Sequence, residues 1–141
     1  MGSWQWFGRM HRWVYRRTGG RVGANLAGLP MLLLTTTGRR SGAPRTTPLT
    51  CMPDGDDFVI VGSNNGGPTD PAWWLNLQAD PHAEIQLRRD RHRVTARLAT
   101  GAERERLWPL LQDFNPAYRR YEKKTEREIP VVVLTPGGPE G

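Results

Sequence analysis

MLLLTTTGRRSGAPRTTPLTCM, residues 31–52, predicts two β-strands joined by a tight turn. Residues 31–37 are apolar and then β-branched, which is typical of a short buried strand. Residues 45–52 return to strand-like residues, and Pro48 among them favours an edge strand or a bulge, because proline cannot donate to a sheet. The glycines of the intervening GRRSGAP allow a tight reversal of the chain. The domain is therefore expected to begin with an antiparallel hairpin.

Further strand signals extend this hairpin into a sheet. The turn PDGDD leads into a strand at 58–63, and residues 82–89 and 92–99 alternate with period two in a second hairpin. In that hairpin, Leu98 is expected on the buried face. IPVVVLT, residues 129–135, supplies a closing strand. About six strands, mostly antiparallel, are predicted.

Helices are expected between these strands. They are predicted at about 72–80 after an Asp-Pro cap, after a capping box from Thr100 to Glu103, and from an Asn-Pro pair to about Glu128. The predicted fold class is mainly β with helices (α+β), as a small closed or split β-barrel, because the strands come in hairpins. No G-x-G-x-x-G or Walker motif is present, which argues against a Rossmann or P-loop nucleotide site.

The length of 141 residues predicts a single globular domain. We divide the chain into an N-terminal amphipathic helix and linker (1–28), a cofactor-binding split barrel (29–136) and a loose tail (137–141). The only cysteine, Cys51, is expected to be a small buried hydrophobe, and a reducing cytoplasm is the expected location. The single Cys and three His have no metal-ligand spacing, so no metal is expected.

Positive charge is concentrated at the start of the chain. The net charge is +6, but residues 1–53 contain eight Arg and no Asp or Glu, whereas residues 54–141 contain twelve basic and fourteen acidic residues. Localised charge of this kind predicts an anionic partner. Nucleic acid, lipid head groups and a multiply charged small molecule are the three classes to consider.

Residues 4–17 have the periodicity of an amphipathic helix. Tryptophan and phenylalanine fall on one arc, and Arg9, Arg12 and Arg16 fall on the adjacent arc. Two interpretations stay open. The helix docks its apolar face on the domain, or it lies on an anionic membrane surface. The second would place a cytoplasmic protein peripherally on the inner face of the cell membrane.

The turn of the first hairpin is crowded with Arg39, Arg40, Ser41 and Arg45. Guanidinium groups bind phosphate or carboxylate oxygens bidentately, and successive N–H groups of a turn can form an anion nest. We therefore predict an anion site at this turn, with a merely solvated turn as the alternative. The spacing alone does not identify the anion.

Three blocks of the sequence are specific when they are taken together. They are TTTGRRSGAPRTTPL (35–49), GSNNGGPTDPAWWLNLQADP (62–81) and YRRYEKKTEREIPVVVL (118–134). They resemble the deazaflavin-dependent nitroreductase family, the actinobacterial reductases that use coenzyme F-420, over roughly residues 4–136. The resemblance implies a split β-barrel like that of flavin reductases and pyridoxamine oxidases. It also implies that reduced F-420 delivers a hydride to a quinone such as menaquinone, or to a nitroaromatic compound.

The resemblance also assigns cofactor contacts to residues of this chain. Because F-420 carries a phosphate and a tail of glutamates, Arg39, Arg40 and Ser41 would bind its anionic part. Further contacts along the phosphate and the ring would come from Arg45, Thr46, Thr47, Pro48, Leu49 and Thr50, from Val61, Gly62, Ser63 and Asn64, and from Ala72, Trp73, Trp74, Leu75 and Asn76.

Two tyrosines match the positions that cap the ring in this family and border the acceptor pocket. A hydroxyl of Tyr118 or Tyr121 could donate to the acceptor oxygen as negative charge develops, and Ser63 is a second candidate for that catalytic role. Asn115 departs from the family, since the nitroreductase has an aromatic residue there. Quinone reduction is therefore expected more strongly than nitroaromatic reduction.

Three rival functions stay open at this point. A split barrel that binds FMN would also use an arginine-rich phosphate site. A protein that binds F-420 without turnover would have the same sequence features. A basic nucleic-acid-binding module is less favoured, because the arginines divide between a helix and a turn instead of forming one stripe. We therefore expect no nucleic-acid partner.

Overall fold

The structure, a computed structural model, describes residues 28–137. The helix predicted at 4–17, the linker that follows it and the tail beyond residue 137 lie outside the described residues. Within them the chain forms a curled, antiparallel half-barrel sheet with three α-helices.

The strands are β1 (Met31–Thr37), β2 (Pro44–Thr50), β3 (Met52–Asp54), β4 (Asp57–Val61), β5 (His82–Leu87), β6 (Asp90–Leu98) and β7 (Val131–Pro136). The helices are α1 (Ala72–Ala79), α2 (Gly101–Phe114) and α3 (Ala117–Lys124), and a short 3-10 turn occupies Asn64–Gly66. The strand order is β2-β1-β5-β6-β7-β4-β3, with every pairing antiparallel. The predicted split-barrel fold is confirmed, with one strand more than expected.

The first hairpin forms as the sequence predicts, with β1 and β2 paired along their whole length. β2 is an edge strand, which explains how it accommodates Pro48. The predicted second strand is nevertheless interrupted at Cys51, whose N–H donates to the carbonyl of Pro30 at 3.0 Å. The chain beyond this break forms β3 at the opposite edge of the sheet. Cys51 is buried, as expected, and burial raises the pKa of its thiol to about 12.

Two apolar cores lie on opposite faces of the sheet. α1 packs over one face through Trp73, Trp74 and Leu77, while α2 and α3 pack over the other. β7 runs between the two cores and is buried from Val131 to Leu134. Burial on both faces explains why this strand is a continuous apolar run in the sequence instead of an alternating one.

The second hairpin differs from the prediction at both ends. Its turn falls at Arg88 and Arg89, with Arg88 in the left-handed region at φ +57°, and β6 begins directly after it. At the far end, Leu98 is 43% exposed and Ala99 is buried instead. The N–H of Ala99 donates to the carbonyl of Val131 at 2.8 Å, which keeps the chain against β7 for one further residue. The side chain of Ala99 then packs in the core covered by α2 and α3.

Neither predicted helix cap forms. α1 begins without a side-chain cap hydrogen bond, and Asp70 forms an ion pair with Arg127 instead. Thr100 likewise makes no side-chain cap bond, and Glu103 pairs with Arg97. Both carboxylates thus take charged arginine partners in preference to backbone N–H groups.

The last helix is shorter than predicted. α3 ends at Lys124 instead of near Glu128, and Thr125 already has extended backbone angles. The chain between α3 and β7 has to return from the surface to the buried Ile129 and Pro130. A helix continued to Glu128 would not allow that return.

None of the described helices is both long and apolar enough to cross a membrane. Within residues 28–137, no three His, Cys, Asp or Glu side chains come together in a group that could hold a metal ion.

Candidate functional site

The arginine-rich turn between β1 and β2 is closed by its own backbone. The N–H of Gly38 donates to the carbonyl of Ala43 at 2.8 Å, and the N–H of Gly42 donates to that of Gly38 at 2.8 Å. Gly42 has φ +76°, a conformation that glycine adopts at little cost. The Oγ of Ser41 accepts the N–H of Ala43 at 3.1 Å. The turn is therefore compact and exposes its arginine side chains.

Asn76 on α1 ties the helix to this turn. Its Oδ1 accepts both the backbone N–H of Arg39, at 3.2 Å, and the Nη1–H of Arg39, at 3.0 Å. Its Nδ2 donates to Oγ1 of Thr36 at 3.1 Å. Asn76 is only 3% exposed, so it forms a buried hydrogen-bonded bridge between α1 and the end of β1 with its turn. The guanidinium of Arg39 is thereby held beside α1.

A groove of about 610 Å³ lies between the turn and α1, and we call it the arginine groove. Arg40 and Arg45 in its wall have no acidic partner among residues 28–137. Positive charge that is not neutralised locally attracts an anion. The predicted site residues that line the arginine groove are Arg39, Arg40, Ser41, Arg45, Thr46, Thr47, Ala72, Trp73 and Asn76.

A second groove of about 750 Å³ lies between β2, the end of β4 and α3, and we call it the tyrosine groove. It shares Thr47, Ala72 and Trp73 with the arginine groove, so the two grooves meet at the start of α1. The predicted site residues that line it are Thr47, Pro48, Leu49, Thr50, Val61, Ser63, Asn64, Ala72, Trp73, Tyr118 and Tyr121. Asn115 lines it as well.

Tyr118 is 5% exposed, and its ring lies between other aromatic groups. Its ring centroid is 6.3 Å from that of Trp108, in a stacked arrangement, and 6.4 Å from that of Tyr121. The Oη of Tyr118 lies 3.0 Å from Oγ1 of Thr50. Burial raises the pKa of Tyr118 above its ordinary value, and hydrogen bonds with Thr50 and Asn115 offset that increase in part. The hydroxyl therefore keeps its proton at neutral pH.

Ser63 begins the 3-10 turn at the end of β4 and is 8% exposed. Asn64, the next residue, has φ +48°, and its Nδ2 donates to the carbonyl of Thr69 at 3.1 Å. Both residues line the tyrosine groove. The loop that carries them continues to Pro71 at the start of α1.

Three predicted cofactor residues line neither groove of the described chain. Trp74 is buried in the core beneath α1. A Cβ at Gly62 would lie only 2.7 Å from Cγ of Pro130, so the close approach that requires this glycine is to a proline. Leu75 donates its N–H to the carbonyl of Pro71 at 3.3 Å, within the first turn of α1. The structure therefore shows packing contacts for Trp74 and Gly62 and a helix hydrogen bond for Leu75.

Arg127 is a residue that sequence reasoning missed. It makes three hydrogen bonds to the loop of Ser63, one of which is also an ion pair with Asp70. No periodicity singles it out in the sequence, because it lies among several charged residues between α3 and β7. Only the fold reveals that its partners are 57 or more positions earlier in the chain.

A third groove, of about 740 Å³, lies on the other side of the arginine turn. It is lined by none of the predicted site residues, and it mixes Asp80 and Glu84 with Arg91 and Arg93. Because both signs of charge are present, nothing in this groove selects an anion.

The fold and the paired grooves define a split-barrel protein with a two-part candidate ligand site. Comparison with known proteins then identifies the family: the chain belongs to the F420H(2)-dependent quinone reductase family, which it matches over residues 6–136. An F420H(2)-dependent quinone reductase of Mycobacterium tuberculosis is 44% identical over 131 residues, which are 90% of this chain and 88% of that protein.

Solved structures agree with this assignment. The structure of an F420-H2 dependent reductase superposes with a TM-score of 0.68 at 37% identity, covering 74% of this chain and 93% of that one. A protein of the pyridoxine-phosphate oxidase family from Clostridium acetobutylicum has a TM-score of 0.52 at 15% identity, over 75% of this chain and 74% of that one. The second likeness shows the fold alone.

Proposed function

We propose that this protein uses reduced coenzyme F-420 to reduce a quinone. The observation that carries the proposal is the junction of the two grooves at Thr47, Ala72 and Trp73. A cationic groove continues there into one lined by tyrosine and serine hydroxyl groups. This arrangement suits a coenzyme with a polyanionic tail at one end and a redox ring at the other.

The residues of the arginine groove fit the anionic part of F-420. Arg40 and Arg45 have no acidic partner within the described residues, and Arg39 is held in place by Asn76. Arginine forks bind phosphate and carboxylate bidentately. Ala72 and Trp73 place the N-terminus of α1, with its partial positive charge, at the same junction.

The residues of the tyrosine groove fit the ring and the acceptor. Pro48, Leu49 and Val61 offer apolar surface for a planar ring, and Ser63 and Asn64 offer polar groups at its edge. When bound, reduced F-420 supplies the hydride. The protein contributes orientation of the ring and a site for the acceptor beside Tyr118 and Tyr121.

Tyr118 is the residue proposed to assist the transfer directly. Its buried hydroxyl is neutral and can donate to an acceptor oxygen on which negative charge develops. Thr50 can then donate in turn to Oη of Tyr118, because either atom of that pair can be the donor. Ser63 is the second hydroxyl of the groove and could serve a second acceptor oxygen.

Quinones are proposed as acceptors in preference to nitroaromatic compounds. Asn115 lines the tyrosine groove, and its Oδ1 accepts the N–H of Ala117 at 3.1 Å. The side-chain amide of Asn115 accepts a hydrogen bond at the start of α3 and provides no aromatic surface, which the resemblance leads us to expect at this position in a nitroreductase. Residues 4–17 are proposed to bring the protein to an anionic membrane surface, where a lipid-dissolved quinone would be available.

The experiment that tests the proposed function compares two coenzymes and one acceptor. Titration with F-420 should quench the intrinsic tryptophan fluorescence of the protein at lower concentration than titration with FMN. The protein should then consume reduced F-420 when menadione is added. Tighter binding of FMN would favour an FMN reductase, and tight binding of F-420 without consumption would favour a binding protein without turnover.

A further inference from the structure

Arg127 contacts the loop 63–70, part of which lines the tyrosine groove, without lining that groove itself. Its Nη2 donates to the carbonyl of Ser63 at 2.8 Å, its Nε to the carbonyl of Gly67 at 3.1 Å, and its Nη1 to Oδ1 of Asp70 at 2.7 Å. The side chain is only 15% exposed. One guanidinium therefore contacts the beginning, the middle and the end of the loop.

The backbone of this loop needs such support. Asn64 and Asn65 have φ +48° and +56°, in the left-handed region, which asparagine enters more readily than most residues but at a greater cost than glycine. The 3-10 turn that contains them is only three residues long. Conformations of this kind persist where the surroundings hold them. Charged support comes from Arg127 at three points of the loop and from Lys124, whose Nζ donates to the carbonyl of Asn65 at 3.5 Å.

This part of the chain also contacts the start of β7 on one side and α3, the helix of the two tyrosines, on the other. The N–H of Gly62 donates to the carbonyl of Pro130 at 2.9 Å. On the other side, a Cβ at Gly66 would lie 3.2 Å from Cα of Tyr121, so the loop packs directly on α3. Ser63 and Asn64 are therefore positioned relative to Tyr121 by contacts that do not involve a ligand.

We infer that Arg127 is a positioning residue, which holds Ser63 and Asn64 in the arrangement that receives the ring of the coenzyme. The inference rests on the proposed function for the identity of that coenzyme. Arg127 does not itself line the groove formed by the described residues, so it acts through the loop. Its contribution is preorganisation, because the loop would otherwise have to be ordered at each binding event.

The test compares Arg127→Ala and Arg127→Lys with Arg119→Ala, which removes an exposed arginine of α3 whose Nη2 lies 2.6 Å from Oδ1 of Asp113 on α2. Hydrogen exchange is measured first, without coenzyme, in the peptide that contains Gly66 and Gly67. Their N–H groups donate to the carbonyls of Ser63 and Asn64. Arg127→Ala should accelerate exchange there at least about tenfold and leave exchange in β7 unchanged.

The second measurement is the affinity for F-420 under conditions where each variant is folded. Arg127→Ala should weaken binding about ten- to a hundredfold, as expected for a small misplacement of binding groups. Arg127→Lys should lie between the alanine variant and the unmodified protein, and Arg119→Ala should match the unmodified protein. Millimolar guanidinium ion should restore both slow exchange and affinity in Arg127→Ala.

Two results would overturn the inference. One is unchanged loop exchange and unchanged affinity in Arg127→Ala. The other is faster exchange spread evenly over the whole sheet, which would show a general contribution to stability. Failure of the unmodified protein to bind F-420 would instead overturn the proposed function, and the exchange measurement would still decide whether Arg127 holds the loop.

Discussion

The hydroxyl groups of Tyr118 and Thr50 lie 3.0 Å apart and join α3 to the edge strand β2. Because burial raises the pKa of Tyr118, its hydroxyl stays protonated at neutral pH and can donate a hydrogen bond inside the tyrosine groove. The two residues are 68 positions apart in the chain. This contact closes the groove on the side where the acceptor is proposed to bind.

Removing only the hydroxyl in Tyr118→Phe should reduce turnover with menadione about a hundredfold, as for other donors to developing negative charge. Affinity for F-420 should change little, because the aromatic ring and its stacking on Trp108 are retained. The measurement is steady-state consumption of reduced F-420 together with a binding titration. Unchanged turnover would make Tyr118 a packing residue.

Replacing Arg39 and Arg40 together by alanine should weaken binding of F-420 by about two to four powers of ten, since each charge-assisted contact contributes about 1.5–3 kcal/mol. The loss should be greater for coenzyme with a long glutamate tail than for coenzyme with a short one. Titrations with both forms measure the difference. Arg106→Ala, which breaks an exposed ion pair with Asp54, is the control that should bind normally. An equal loss for both tail lengths would contradict a tail-binding role.

Asn76→Ala should destabilise the fold by about 1–3 kcal/mol, because it removes the buried partner of Arg39 and of Thr36. Thermal unfolding measures this effect, and a coenzyme titration should show weaker binding because Arg39 is no longer held. Gln78→Ala, at an exposed position of the same helix, is the matched control. A variant as stable as the control would show that the bridge contributes little.

Cys51 should resist alkylation in the folded protein. Its folded-state pKa of about 12 lies above the ordinary cysteine value of about 8.5, so the thiolate is scarce at pH 8. For the same reason the contribution of this thiol to stability is complete below the ordinary pKa and is lost as pH rises towards 12. Whole-protein mass after iodoacetamide should show modification only with denaturant. Rapid labelling of the native protein would contradict its burial.

Deleting residues 1–20 should abolish flotation with anionic vesicles and leave reduction of soluble menadione unchanged. The physical reason is that residues 4–17 contain both tryptophan and arginine. Tryptophan suits the boundary of the lipid chains, and arginine binds anionic head groups. Vesicles of neutral phosphatidylcholine are the control. If the full chain fails to float with anionic vesicles, the docked interpretation of this helix is favoured.

Most of the sheet, including the hairpin that carries the proposed anion site, could be predicted from the sequence, because local signals and structure agree there. Pro48 marks an edge strand, and the arginine turn lies between two well-formed strands. The bridge at Asn76 and the support from Arg127 could not be predicted, because each joins segments far apart in the chain. The predicted caps at Asp70 and Thr100 were wrong for a related reason: a tertiary ion pair with a distant or neighbouring arginine replaced the local hydrogen bond.

A crystal structure of the protein with F-420 tests the central claim most directly. The phosphate and glutamate tail should lie in the arginine groove against Arg39, Arg40 and Arg45, and the ring should lie in the tyrosine groove beside Ser63 and Tyr118. A tail bound away from all three arginines, or a ring outside the tyrosine groove, would contradict the claim that the two joined grooves form the coenzyme site.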